Sequence, residues 1–191
     1  MSLFDGKTLE GWRVEERGGF GKHGKVAVGD GQITLDAGDP STGIAWTRGF
    51  PISGYEVEFE AQRVTGSGDF ATTIFPVGPS YCAFHTGCGW NKTVGLTTVD
   101  DRPCDENETK RDMGFQNDRW YRFRVRVTRE RIQCWIDDEE IVDLAQAGHK
   151  FSAPYDDLKP FGVFSIGSSS ALRNIRLRRL DTRPGQGADA R

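Results

Sequence analysis

No window of this chain approaches the eighteen or so consecutive apolar residues of a membrane-spanning helix. Positive charge is not in excess either: 25 Lys and Arg against 28 Asp and Glu leave a formal net charge of −3, without the basic footprint that nucleic-acid binding requires. Methionine occurs twice and histidine three times, so any imidazole chemistry rests on His23, His85 or His149. No basic segment followed by an apolar stretch precedes Leu3, and no secretory signal is visible. Heptads, internal repeats and a Pro- or Ser-rich linker are also missing, which favours one domain for 191 residues. Glycine is plentiful, at 24, and it separates β-branched and aromatic runs, the composition of strands joined by tight turns.

Alternation makes the strands legible. Across 54–64, Tyr55, Val57, Phe59 and Ala61 point one way and Glu56, Glu58, Glu60 and Gln62 the other, the period of a half-buried strand. Tyr121, Phe123, Val125 and Val127 likewise alternate with Arg122, Arg124 and Arg126. A turn about Arg129-Glu130 pairs Phe123 with Ile136, Val125 with Cys134 and Val127 with Ile132, so the inward sets of both strands coincide. The same register sets Arg124 against Trp135 on the outer face. Shorter candidates lie at 26–28, 32–35, 43–47, 81–86, 94–99, 141–144, 162–166 and 172–180. The acids of the 54–64 strand repel one another, and opposite charges across the ladder would relieve them, with Arg122, Arg124, Arg126, Arg176 and Arg178 as candidate partners. Residues 181–191 lack apolar periodicity and read as a frayed tail, leaving a single domain over 1–180.

The stretch Leu3-Phe4-Asp5-Gly6-Lys7-Thr8-Leu9-Glu10-Gly11-Trp12 resembles the opening motif, LF(D/N)GK-x-L-x-GW, of the 3-keto-disaccharide hydrolase domain family. Phe115 to Val125 is similar to that family's tryptophan-led central strand, Ile132 to Asp138 to its hairpin partner, and Ala171 to Leu177 to its closing strand. The resemblance implies an all-β fold, a two-sheet antiparallel jelly-roll sandwich of the concanavalin A-like kind. It also implies a carbohydrate or sugar derivative as partner, an extracytoplasmic setting, and glycoside cleavage on sugars oxidised at C3 by hydrolysis or elimination. The alternative on the same scaffold is a non-catalytic carbohydrate-binding or protein-interaction module, because a fold does not carry an activity by itself. No cofactor is implied.

Two regions carry groups suited to chemistry. The comb Glu56-Val57-Glu58-Phe59-Glu60 resembles in spacing the E-x-D-x-E strand of laminarinase-type glucanases, but Glu58 stands where that pattern has Asp, and a solvated, Arg-paired face is the simpler reading. Residues 76–114 depart most from alternation and combine a histidine, aromatic platforms and acids on loops that a rigid sheet can present. Within them His85, Asp100 and Glu106 are the candidate catalytic groups. Tyr81, Trp90, Asp101, Arg102 and Asn107 are the candidate substrate-binding residues. Cys82, His85, Cys88 and Cys104 have zinc-ligand chemistry, but on a strand Cys82 and His85 point to opposite faces, so no metal is assigned. A Cys88–Cys104 disulfide and free thiols both stay open. His23 and His149 show no evident partner and read as surface residues.

Overall fold

The computed structural model describes residues 1–88 and 92–180. The expected tail at 181–191 lies outside them, as does Trp90. Fourteen strands are formed among the described residues, in two seven-stranded antiparallel sheets. In chain order they are β1 (Trp12–Val14), β2 (Val26–Gly29), β3 (Gln32–Leu35), β4 (Ser41–Trp46), β5 (Tyr55–Gly66), β6 (Thr72–Val77) and β7 (Ser80–Gly87). There follow β8 (Thr93–Thr97), β9 (Arg111–Asp112), β10 (Trp120–Val127), β11 (Arg131–Ile136), β12 (Glu139–Ala145), β13 (Phe161–Ile166) and β14 (Ser168–Arg179). One sheet runs β1-β4-β13-β6-β7-β8-β9 and the other β12-β11-β10-β5-β14-β3-β2. The chain is thus an all-β jelly-roll sandwich.

Packing follows the alternation. Tyr55, Val57, Phe59, Phe123, Val125, Ile132, Cys134, Ile136, Ile175 and Leu177 share one core between the sheets. The hairpin register is the one expected, with Phe123 opposite Ile136, Val125 opposite Cys134 and Val127 opposite Ile132. Arg124 lies 4.0 Å from the centroid of Trp135, a cation–π contact on a ring that is itself buried. The opening motif is a clasp: Asp5 accepts from the backbone N–H groups of Lys7 and Thr8 around Gly6, whose φ is +79°. Trp12 is buried and donates its indole N–H to the Leu3 carbonyl at 2.7 Å.

Two acids of the comb, Glu56 and Glu60, are paired with arginines across the sheet. β5 lies between β10 and β14, so Glu56 meets Arg126 and Arg178, both at 2.7 Å, and Glu60 meets Arg173 at 2.6 Å. Arg173 is absent from the partners expected above because strict alternation back from Arg176 skips it. A bulge between Arg173 and Arg176, with Asn174 at φ +56°, brings both arginines to the outer face while Ile175 stays in the core. Burial alone would raise the Glu56 carboxyl, but hydrogen bonds from Arg126 and Arg178 outweigh it and hold the group below its ordinary range.

The outer face of the other sheet is apolar along part of its length. Ala45, Ile74, Ala83 and Phe164 are roofed by two short 3-10 turns, Gly18–Phe20 and Asp156–Leu158, which bring Phe20 and Leu158 onto them. That roof covers one end of the face. His85, two residues beyond Ala83 on β7, lies at the other end, in a cleft.

Candidate active site

The side chains of β7 divide as alternation demands. Cys82 and Phe84 enter the core, and burial raises the Cys82 thiol to about 12. Tyr81, Ala83 and His85 face outward. The placement of Cys82 and His85 on opposite faces removes Cys82 from any ligand set with His85.

His85 Nε2 forms a hydrogen bond with Asp69 Oδ2. The two side chains are 19% and 15% exposed, so the pair is screened from bulk water yet still reachable. Sequence analysis missed Asp69, which sits in the connection between β5 and β6. Several groups hold it there. The Asp69 carbonyl accepts from Ile166 N at 3.0 Å and from the Ser168 hydroxyl. Its neighbour Gly68 accepts from Arg63 Nη1 at 3.2 Å. Arg63 is itself buried, with Nε on Asn117 Oδ1 and Nη2 on the Phe115 carbonyl. Phe115 and Asn117 belong to the motif Phe115 to Val125, so this motif also steadies the loop that carries the site. At the end of β7, Gly87 has φ +106° and a Cβ there would stand 2.9 Å from Asp69 Oδ1, so a side chain at 87 would displace the carboxylate.

The His85–Asp69 pair lies in a cleft of about 480 Å³ whose walls include Ser67, Cys88, Thr97, Cys104, Asp105 and Ile166. A disulfide joins Cys88 to Cys104 and ties the end of β7 to the loop after β8.

The remaining candidates are placed as follows. Tyr81 packs against the roofed apolar cluster with Lys159 Nζ 4.5 Å from its ring centroid, at the far end of the strand from His85. Asp100 accepts from the backbone N–H of Lys150 at 2.8 Å and pairs with His149 Nδ1 at 2.7 Å, contacts that lower its carboxyl below the ordinary range. His149 also approaches Glu108 at 3.6 Å, so it has the partners that the sequence did not reveal. Asn107 ties its loop together, donating to the carbonyls of Leu96 and Pro103 at 2.8 Å and accepting from Thr109 N and Oγ1. Asp101, Arg102 and Glu106 are exposed, and none of the three lines the cleft. The structure therefore brings His85 to the cleft together with Asp69 and Asp105, and holds Asp100 and Asn107 in loop-stabilising bonds.

A larger cavity, of about 860 Å³, lies on the outer face of the other sheet between Glu56, Glu58, Arg124 and Arg176. Size does not make it the better catalytic site. Glycoside hydrolysis by paired carboxylates needs one of them protonated near neutral pH. Glu56 is instead locked as the carboxylate between two guanidinium groups, and Glu60 accepts from Arg173 and Asn174.

Fold and cleft define a jelly-roll domain with an acid-paired histidine on one outer face. The chain belongs to the 3-keto-alpha-glucoside-1,2-lyase-like domain family, whose profile matches residues 1–178. No curated protein sequence matches it. Among solved structures it is similar to a carbohydrate-binding module, CBM66 of Bacillus subtilis, with 14% identity and TM-score 0.56 over 88% of this chain and 95% of that one. It is similar to a laminarinase from Flavobacterium sp. UMI-01, with 10% identity and TM-score 0.58 over 92% and 96%. It is also similar to a protein from work on endo-acting O-glycanases of the human gut microbiota, with 16% identity and TM-score 0.59 over 89% and 92%. Identities this low establish a shared fold and nothing about the reaction.

Proposed function

We propose that the domain acts on carbohydrate and cleaves a 3-keto-glycoside by elimination, with His85 as the proton-abstracting base and Asp69 as the residue that positions it. The observation carrying this reading is the half-buried His85–Asp69 pair inside a cleft of sugar-ring dimensions. Family membership supports the substrate class.

The chemistry is consistent with those groups. A ketone at C3 acidifies the proton on C2. With Nε2–H donated to Asp69, the other ring nitrogen of His85 keeps a lone pair to accept that proton. The electrons of the broken C2–H bond pass into the C2–C3 enolate and then into a C1–C2 double bond as the C1–O bond breaks. The departing sugar oxygen takes the proton back from the imidazolium, which resets the site. Asp69 stabilises the transient imidazolium, and Asp105 on the cleft wall offers an acceptor for a sugar hydroxyl.

The test is incubation with 3-keto-disaccharides, reading the release of free sugar together with the ultraviolet absorbance of the conjugated enone. His85→Ala should lower kcat by about 10²-fold or more, and Asp69→Asn should lower kcat with little change in KM. Full turnover by His85→Ala would refute the assignment. Sugar binding by the wild-type protein with no turnover of any 3-keto-glycoside would favour the binding-module reading.

A further inference from the structure

We infer that the mouth of the cleft doubles as a thiol-dependent binding site for a zinc-type divalent cation, built from His85, Cys88 and Cys104 and closed by the Cys88–Cys104 disulfide. One potential ligand atom from each of the three residues lies within 4.8 Å of the others. In a tetrahedral zinc site with bonds of about 2.0–2.3 Å, ligand atoms stand roughly 3.5–4 Å apart, so the imidazole has at most about 1 Å to close while the two sulfurs, bonded to each other in the oxidised protein, separate by about 1.5–2 Å once reduced. Three protein ligands leave a fourth position open toward the cleft.

Several independent features suit this use. Both cysteines are largely buried, at 7% and 1% exposure, so a bound ion would be shielded from competing water. Asp69 on the imidazole supplies the carboxylate–histidine contact that orients metal-ligating rings and fixes which nitrogen is free. The ligands come from two segments that the fold brings together, the end of β7 and the loop between β8 and β9, and both are anchored without the disulfide. Gly87 closes on Asp69, while Asn107 and Thr109 tie the loop to Leu96. Cys82 and Cys134 are free thiols buried in the hydrophobic core and take no part.

The two states interconvert by a balanced step. A small dithiol delivers two electrons and two protons to the S–S bond and becomes a cyclic disulfide, leaving two thiols on the protein. Zinc then displaces both thiol protons and takes the free imidazole nitrogen. A cyclic disulfide running the exchange in reverse takes back the two electrons, with two protons from solvent, to become the dithiol again; this re-forms the Cys88–Cys104 bond and expels the ion. Metal binding itself does not depend on the elimination proposed above. Only its consequence does: an ion on the imidazole lone pair withdraws His85 from proton transfer, so the reduced, loaded domain would be inactive and the oxidised domain competent.

The experiment uses Co2+ as a spectroscopic probe on the whole chain, after reduction with dithiothreitol and anaerobic desalting. The expected result is one equivalent bound by the reduced protein, with a sulfur-to-cobalt charge-transfer band and intense visible d–d absorption, both removed by one equivalent of Zn2+ and both absent from the oxidised protein. His85→Ala should weaken the binding by at least about tenfold, and Cys104→Ser should abolish the charge-transfer band. As a check needing no variant, Zn2+ should protect Cys88 and Cys104 of the reduced wild type from iodoacetamide, read by peptide mass spectrometry. Reduced protein that takes up no cobalt, that loses its circular dichroism on reduction, or whose two cysteines alkylate equally fast with and without zinc would overturn the inference. So would His85→Ala binding cobalt as tightly as wild type. If cobalt binds as expected while no 3-keto-glycoside is turned over in the oxidised state, the metal site stands and the elimination falls.

Discussion

Replacing Glu56 by Gln tests whether the acidic comb is a structural tie or a catalytic carboxylate. The Glu56 side chain is 8% exposed and accepts from Arg126 on one neighbouring strand and Arg178 on the other, each at 2.7 Å. A hydrogen bond to a charged group is worth about 1.5–3 kcal/mol when screened from water. Arg126 is 32% exposed, which places its share at the lower bound, about 1.5 kcal/mol. Arg178 is 64% exposed and rehydrates readily when released, so its share falls below about 1 kcal/mol. The expected loss is thus about 2 kcal/mol at pH 7, read by urea denaturation, or about 4–8 °C in Tm for a chain of this size. The pH dependence supplies a second criterion. Because the folded-state carboxyl is lowered from its ordinary 4.5, its stabilisation is fully present above that value and disappears as pH falls through the folded-state pKa. The difference between wild type and Glu56→Gln should therefore shrink on acidification below about pH 4.5. Turnover per folded molecule should not change. A stability loss under about 0.5 kcal/mol, typical of a surface site, would refute the cross-sheet tie, and a 10²-fold loss of cleavage would restore the paired-carboxylate mechanism.

Other outcomes follow from the same structure. Phe123→Ala, at a side chain with no exposed area stacked 5.2 Å from Phe59, should cost about 3–5 kcal/mol in chemical denaturation. Asn107→Ala removes the side chain that satisfies the Leu96 and Pro103 carbonyls and the Thr109 N–H. It should lower stability by about 1–3 kcal/mol and raise amide exchange across 97–109 while leaving the strands of the other sheet protected. Cys82, fully buried with its thiol raised to about 12, should resist iodoacetamide in the folded protein and react only on denaturation; rapid labelling under native conditions would contradict its core placement.

The sandwich was legible because its signals are local and redundant. Tyr55 to Ala61 and Tyr121 to Val127 each alternate cleanly, and the turn between β10 and β11 fixes a register in which both inward sets agree. The bulge at Asn174 escaped because a bulge breaks the period that pattern reading relies on, and Arg173 was lost with it. His85 was found as the one histidine on an alternating strand among polar loops. Asp69 was not, since its pairing depends on the path of the connection after β5 and no spacing rule links a Gly-Asp-Phe loop to a histidine 16 residues later. Asp100 and Asn107 looked like ligand-binding groups because loop acids and amides serve both roles, and only coordinates show their hydrogen-bonding capacity already spent on Lys150, His149, Leu96 and Thr109.

The clasp at the start of the chain bears on how the protein is made. Leu3 N–H bonds to the Ile175 carbonyl at 2.8 Å, and β14 is the strand inserted between β5 and β3. Strands from the first third of the chain therefore have no neighbour on that side until residues near 175 have been synthesised. During translation the exposed flanks of β3 and β5 must wait, unpaired, for well over a hundred further residues, at about 5–20 residues per second. Charge on an open edge opposes edge-to-edge pairing, and the waiting strand carries the acidic row Glu56, Glu58 and Glu60. Two of these carboxylates, Glu56 and Glu60, bind arginine once the sheet is complete, and substitutions that neutralise all three should lower the yield of soluble protein more than they lower the stability of what folds.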